Sequence, residues 1–452
     1  MSTLSRRRFS SGLLAAGATA MAPRPGRAAG ANERVRLGMI GLGNRGDQLI
    51  DAFAPHPDAE FAALCDVYAP YVDFARQKVG GRPFTTGDYR AVLDRKDIDA
   101  VVIATPDHWH ALQFVEACQA GKDVYVEKPV SLVVREGRLM VEAARRYGRI
   151  TQVGVHRRSV PVCMRLVELI RGGAIGRVTA CRCFHISNEY PMGIGCPPDG
   201  DPPAGLDWDM WLGPAPKAAY NPNRCFYKFR WFRAYSGGQM TNFGTHWLDL
   251  IQWAIGQDAP LGVFAVGSRT ALADNRDVPD TMEAVWDYPD GTIVSFGQYN
   301  ANAAPGAGRE ASVEFRGTNG TLYLVGDRIE IVPEAVRLEP LPALDPRCRQ
   351  ADARQAAARS RPAADAGLTE RSDGSTAPHA RDFLDGVKQR RPCRCPIEVG
   401  HRSTTTTLIA NVACDRKRYL AWDAEREQFA NDAQANALLT CVYREPWKLP
   451  GL

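Results

Sequence analysis

The first 31 residues hold no aspartate or glutamate, although Arg6, Arg7, Arg8, Arg24 and Arg27 lie among them. Those arginines carry the whole formal net charge of +5, so the rest of the chain is electrically balanced and nucleic-acid binding has no compositional support. Long apolar runs are missing too. The stretch from Ser10 to Ala22 is too short and too rich in glycine and alanine to cross a bilayer, which argues against an integral membrane protein. Histidines number only eight and do not cluster with cysteines, so no tetrahedral metal site is expected. The twelve cysteines are scattered, with Cys181/Cys183 and Cys393/Cys395 the close pairs. We read most of them as buried thiols and leave disulfide pairing open. No internal repeat is visible.

What is present begins with Ser5-Arg6-Arg7-Arg8-Phe9, a twin-arginine pattern followed by small residues, with Ala29-Gly30-Ala31 as a cleavage site. Residues 1–31 are thus expected to be a signal that engages the twin-arginine export machinery and sends the mature protein to the periplasm or beyond. That route carries folded proteins, which suits an enzyme that binds its cofactor before leaving the cytoplasm. The chain of 452 residues is long enough for two domains.

The first domain is expected over residues 34–155 and is organised around Val35 to Gly46. An apolar strand, Val35 to Ile40, runs into Gly41-Leu42-Gly43-Asn44-Arg45-Gly46 and then a helix, Asp47 to Ala54. Gly41 makes the tight turn, Gly43 leaves room for a pyrophosphate, and Gly46 lets the helix press on the strand, whose first-turn N–H groups face the phosphates. A second strand, Glu60 to Leu64, ends at Asp66, where a carboxylate accepts hydrogen bonds from the adenosine ribose hydroxyls and repels a 2′-phosphate. No basic residue immediately follows Asp66, so the expected cofactor is NAD rather than NADP. Further strands, Asp99 to Ala104 and Asp123 to Val126, flank a helix expected from Ala111 to Ala120. They end in Thr105-Pro106-Asp107-His108-Trp109-His110 and Glu127-Lys128-Pro129, tips that in a parallel sheet lie beside the nicotinamide half of the cofactor.

Residues 156–452 read as a second α/β unit. It holds a long irregular region, Ser187 to Tyr235, rich in Pro, Gly and aromatics, and a helix opened by Gly237 to Asp249 that would put Asn242 and His246 on one face. Strands are expected at Leu261–Ser268, Thr281–Tyr288, Gly291–Tyr299, Ser312–Gly317 and Gly320–Val325, then an irregular excursion at about 333–377 and two closing helices.

The glycine turn, Ala104 to His110, Ala120 to Pro129 and Gly237 to Asp249 together resemble the Gfo/Idh/MocA family of NAD(P)-dependent oxidoreductases over residues from about 34 to 430. The resemblance implies an N-terminal Rossmann domain and a C-terminal α/β domain with an open, mostly antiparallel sheet, which also serves oligomerisation as a dimer or tetramer. It looks most like the exported branch acting on sugars or glycosides. By the same resemblance Lys128 is the cation at the reacting oxygen and His246 the base, with Gly41, Gly43, Asn44, Arg45, Gly46, Asp66, Thr105, Pro106, His110, Glu127 and Lys128 about the cofactor. Asn242 stands where the family commonly has aspartate. An amide still bonds a sugar hydroxyl but supplies no charge. Further candidate substrate contacts are His156, Arg157, Tyr190, Trp211, Tyr227, Arg230 and Trp231.

The expected function is NAD-dependent oxidation of a secondary hydroxyl of a sugar, glycoside or polyol, with a tightly held cofactor recycled in the site. A glycoside hydrolase working by transient C3 oxidation is one alternative, with His246, His156 or Tyr190 open as the base at C2. A non-catalytic sugar-binding or scaffold protein is the other.

Overall fold

The computed structural model describes residues 34–306, 308–334, 336–337, 360–361 and 368–451. The arginine-rich segment 1–31 and most of the excursion at 333–377 lie outside the described residues.

Strand β1 (Val35–Ile40) is buried along nearly its whole length, as a strand with helices on both faces must be. After it come α1 (Asn44–Phe53), β2 (Ala59–Cys65), α2 (Ala69–Val79), β3 (Phe84–Thr86), α3 (Tyr89–Leu93), β4 (Ala100–Ile103), α4 (Asp107–Gln119), β5 (Asp123–Val126), α5 (Val134–Tyr147) and β6 (Thr151–Val153). The strands form one six-stranded sheet in the order β3-β2-β1-β4-β5-β6, every pair parallel. This is a Rossmann sheet, with the order reversing between β1 and β4, and the crevice for a dinucleotide opens at that reversal.

The second sheet starts after α6 (Pro161–Arg171) with β7 (Val178–Ile186), and the irregular region beyond it holds the short helix α7 (Trp208–Leu212). It continues through β8 (Gly262–Ser268), β9 (Thr281–Asp287), β10 (Ile293–Tyr299), β11 (Val313–Gly317), β12 (Gly320–Val325) and β13 (Arg328–Pro333). The strands Thr369–Arg371, Leu420–Asp423 and Gln428–Phe429 extend its edges to ten strands, all antiparallel except the β7/β10 pair. Alternation along β9 buries Met282, Ala284 and Trp286 against α6, α9 (Gly244–Ile255) and the helix Ile397–Arg416, while Glu283 and Val285 face outward. The expected α/β pair of sheets, one parallel and one open and mostly antiparallel, is the observed fold.

Three differences bear on the site. Helix α4 starts at Asp107 rather than Ala111, since Pro106 suits the position before a first turn, so Asp107 to His110 are helical. The helix expected from Gly237 is interrupted at Phe243, giving α8 (Gly238–Asn242) and α9, so Asn242 and His246 sit on two helices rather than one face of one. The helix Ala377–Gln389 packs back on the first sheet, with the Phe383 ring 6.3 Å from Phe53 and 5.8 Å from Tyr125. Among the described residues every cysteine is a free thiol, Cys181 and Cys183 both pointing into the core, and no side-chain cluster has the make-up of a metal site. No described helix is long and apolar enough to cross a membrane.

Candidate active site

One elongated cavity of about 470 Å³ runs from Asp66 along the carboxyl ends of β1, β4 and β5 to α8 and α9. At its first end Gly41 has φ +88°, and a Cβ there would lie 2.7 Å from the backbone of Ala104. A Cβ on Gly46 would lie 2.0 Å from the Gly41 oxygen, so this glycine holds α1 against the turn without itself lining the cavity. Gly43 precedes α1 with no side-chain cap, leaving the first-turn N–H groups free for an anion. Asp66 accepts from Leu42 N at 2.7 Å and Tyr68 N at 2.9 Å, which aims its carboxylate across the cavity end. Burial lifts its pKa to about 6 despite those bonds. The residues fit NAD: a phosphate cradle that only glycine can form and a ribose-facing carboxylate with no cation beside it.

Asp66 makes a testable contact. Asp66→Ala is expected to weaken NAD binding roughly 10- to 100-fold, the range for hydrogen bonds to a charged group. In the native protein NAD affinity should fall as pH drops through about 6, because protonation removes the charge that the ribose hydroxyls favour. Calorimetric titration of protein first freed of nucleotide, between pH 5 and 8, checks both; a flat profile would show that Asp66 does not meet the ribose.

The middle of the cavity is set by the tips of β4 and β5. His110 bridges the carbonyls of Thr105 (2.9 Å) and Pro129 (2.7 Å), tying the two tips together. Glu127 takes Arg45 Nε at 2.8 Å, and glycine at 154 is required because a Cβ would meet that carboxylate at 2.5 Å. Lys128 Nζ donates to both the carbonyl and the side-chain oxygen of Asn242, each at 2.8 Å. Burial lowers the Lys128 pKa to about 8, and the neutral amide of Asn242 does not reverse that.

At the far end His246 and His156 face each other with ring centroids 5.3 Å apart. Burial, then the nearby cations, drives the His156 pKa down to about 2 and that of His246 well below its ordinary value, so both imidazoles are neutral in the working range. In each ring Nδ1 is buried with no hydrogen-bond partner. Asp107 adds a carboxylate, fully buried and bonded by Ser236 Oγ at 2.5 Å; burial raises its pKa.

Most of the expected site residues meet here: Gly41, Gly43, Asn44, Arg45, Asp66, Thr105, Pro106, His110, Glu127, Lys128, His156, Trp211, Tyr227, Arg230, Asn242 and His246 all line the cavity. Three do not. The Arg157 guanidinium lies 4.1 Å over the Trp247 ring, because the 3-10 turn His156–Ser159 turns adjacent side chains to different faces. Trp231 is core, under the Arg276 guanidinium at 4.3 Å. Tyr190 is 64% exposed on the loop surface.

Sequence reasoning also missed how the irregular region closes the cavity. Ala69 N donates to Gly205 O and Asp207 N to Val67 O, both at 2.9 Å, so a strap from the second domain pairs with the chain beyond β2. Phe226, at φ +51°, adds its ring to those of Tyr68 and Tyr71 at 5.2 and 5.9 Å beside Asp66. Further along, Trp109 Nε1 bonds Trp211 O at 3.0 Å. Asp107 was the one member with a local signal, standing in the β4 tip.

A Rossmann crevice with a glycine cradle, a ribose-facing carboxylate and a lysine beside buried imidazoles defines an NAD-dependent oxidoreductase. The chain belongs to the Gfo/Idh/MocA oxidoreductase family: the model of its NAD-binding Rossmann fold matches residues 35–155, and that of its C-terminal alpha/beta domain matches 197–364 and 360–449. It is an enzyme, which sets the scaffold reading aside. Among relatives it is 28% identical over 272 residues to the rhizopine catabolism protein MocA of Rhizobium meliloti, covering 59% of this chain and 72% of that one. It is 36% identical over 148 residues to an alpha-N-acetylgalactosaminidase of Shewanella oneidensis, covering 29% of this chain and only 32% of that one. A levoglucosan dehydrogenase solved with NADH and levoglucosan shares the fold, with TM-score 0.64 and 19% identity over 86% of this chain and 99% of that one.

Proposed function

We propose that this enzyme cleaves a glycoside through transient oxidation of the sugar, with NAD retained and restored within each cycle. The observation that carries the reading is the pair of neutral, buried imidazoles, each with an unsatisfied ring nitrogen, beside Lys128. Simple alcohol oxidation needs one base; cleavage by oxidation and elimination needs two. The partial match to a glycosidase of Shewanella oneidensis supports the same order, and so cleavage takes precedence over net oxidoreduction between two sugars.

Bound NAD supplies the acceptor for the C3 hydride and returns it at the end. His246 takes the C3 hydroxyl proton while the Lys128 ammonium steadies the charge growing on that oxygen. The resulting ketone acidifies the C2 hydrogen, which His156 removes as the C1–O bond breaks; the departing aglycone oxygen takes a proton from solvent, which the water that later adds its hydroxyl at C1 replaces. Water then adds at C1, the proton returns to C2, and reduction at C3 completes a net hydrolysis. Tyr190, exposed on the loop surface and away from the cavity lining, is not used. The strap favours a cofactor that stays bound, as an exported enzyme with no outside supply of NAD requires. Export is proposed from the pattern of Ser5 to Phe9, the small residues after it and Ala29 to Ala31.

The test is to pass the mature protein through gel filtration and incubate it with aryl glycosides. Aglycone release without added cofactor is expected. Reciprocal oxidation and reduction of two free sugars without release, or turnover only on adding fresh NAD, would overturn the reading.

The outer face of the second sheet supports the proposal of a homo-oligomer. Phe264 (41% exposed) and Val285 (40%) are register partners there, with Val266 and Ile293 on the same face. Val285→Lys should leave the fold intact and reduce the solution mass to that of one chain, by light scattering after chromatography. An unchanged mass would place the interface elsewhere.

A further inference from the structure

Resting on the reading above, we propose that the substrate is an acidic sugar, a uronate or its glycoside, whose carboxylate is received by Arg230. The geometry starts from the 3-10 turn Phe226–Trp231, which sets Arg230 into the wall of the cavity. Its guanidinium lies 3.9 Å over the Tyr227 ring and 5.5 Å from that of Phe229. Among the described residues no carboxylate comes within ion-pair distance of it, and its Nε is buried with no hydrogen-bond partner.

Among the described residues, three other arginines of low exposure are matched. Arg45 meets Glu127 and Arg158 meets Asp249, each at 2.8 Å, while Arg276 meets Asp274 and Glu189 at 2.7 Å. Arg157 and Arg224 also lack a carboxylate, but Arg157 is stacked on Trp247, Arg224 lies over Phe232, and neither lines the cavity. Arg230 is the unmatched guanidinium that faces the substrate.

The charges along the cavity show what is missing. Asp66 is committed to the adenosine end and Glu127 to Arg45. The far end therefore has two cations, Lys128 and Arg230, against Asp107, which is engaged by Ser236. Lys128 is held by a neutral amide and is needed at the reacting oxygen. One positive charge remains without a counterpart. Burial lowers the Arg230 pKa, and the attraction of Tyr227 and Asp107 does not make up the difference, so an arriving anion relieves a cost already present in the folded protein. The ligand follows from the donor. A flat guanidinium lying over a ring face offers paired N–H groups in one plane, which a carboxylate on a sugar ring accepts as two parallel hydrogen bonds. A phosphate ester would bring close to two charges where one is unmatched.

The test uses NAD-loaded protein and a matched set of 4-nitrophenyl glycosides: hexuronides, neutral hexosides, N-acetylhexosaminides and 6-sulfated hexosides. Hexuronides are expected to lead in kcat/KM by roughly 30-fold or more, the smallest loss typical of leaving one partner of a buried charge pair unmatched. Arg230→Gln, which keeps donors and loses charge, should bring the uronide-to-hexoside ratio close to one, and Arg230→Lys should restore part of it. A structural role alone would lower both substrates together and leave the ratio unchanged, which would overturn the proposal. A native preference for neutral, N-acetylated or sulfated substrates would overturn it as well. Calorimetry with free glucuronate and galacturonate against glucose and galactose needs no turnover. Arg230-dependent uronate binding without cleavage would keep this proposal and remove the glycosidase reading, whereas cleavage of neutral glycosides with no uronate binding would do the reverse.

Discussion

Lys128→Met should lower turnover by roughly 10³-fold while the protein still carries its nucleotide. The methionine keeps the length of the side chain and removes the one cation placed at the end of β5 for the substrate oxygen. Loss of a single preorganised donor to a developing oxyanion costs about 10²- to 10³-fold, and a buried charge belongs at the upper end. The native enzyme should also lose activity as pH rises through about 8, because burial brings the Lys128 ammonium to its titration point there. The stability effect has the opposite sign. With its folded pKa below that of the free side chain, Lys128 opposes folding while it is charged, and that opposition fades as pH rises from about 8 toward the unfolded value. Asn242→Asp sharpens the test. A carboxylate 2.8 Å from Nζ would hold the proton more firmly, so the alkaline limb of the activity profile should move up by about one unit or more. Stopped assays from pH 6 to 10 on the three proteins decide it. A Lys128→Met enzyme of near-native rate, or an alkaline limb that survives in it, would show that another group polarises the oxygen.

Gly46→Ala is expected to cost about 3 kcal/mol, the upper range for forcing a methyl into a filled space, and to empty the protein of NAD. The new Cβ would stand 2.0 Å from the carbonyl oxygen of Gly41, and nothing there is a flexible side chain end. Gly41 is tied in place by its N–H bond to the Cys65 carbonyl at 2.9 Å. Helix α1 must therefore lift away from β1, and the unsatisfied N–H groups of its first turn move with it. Gly200→Ala, where the same methyl meets nothing within 4 Å, is the control. Thermal melts with nucleotide quantified after denaturation measure both effects; a Gly46→Ala protein that keeps its NAD would show that the cradle tolerates a displaced helix.

The first half of the site was legible because its causes are local. An apolar run, glycines at fixed spacing and an acidic residue at the next strand end each constrain the backbone where they stand, so β1, the turn and Asp66 can be read in line. Lys128, Asn242 and His246 were found by resemblance, and the cavity does gather them. What escaped depends on contacts distant in the chain. Nothing near Phe383 announces that its ring meets Phe53 and Tyr125, and nothing near Leu206 announces that its neighbours pair with Val67 and Ala69. Arg157 was misplaced for a related reason: His156 beside it does reach the site, but in a 3-10 turn adjacent residues diverge. The strand Thr369–Arg371, which pairs with β13, falls within what composition marked as an excursion, since three residues are too few to show alternation.

The strap also makes nucleotide exchange a problem of heat rather than of concentration. The backbone bonds joining Gly205 and Asp207 to the first domain and the rings of Phe226, Tyr68 and Tyr71 close the adenosine end of the cavity, and we expect them to part before a dinucleotide leaves. That is a local unfolding event, and unfolding rates climb about 3- to 6-fold for each 10 °C. The protein should therefore leave a cold column with whatever nucleotide it captured on folding, indifferent to dilution. Brief warming beside a nucleotide-degrading enzyme would empty it, and cooling with an isotopically labelled or chemically altered dinucleotide would then seal the replacement in.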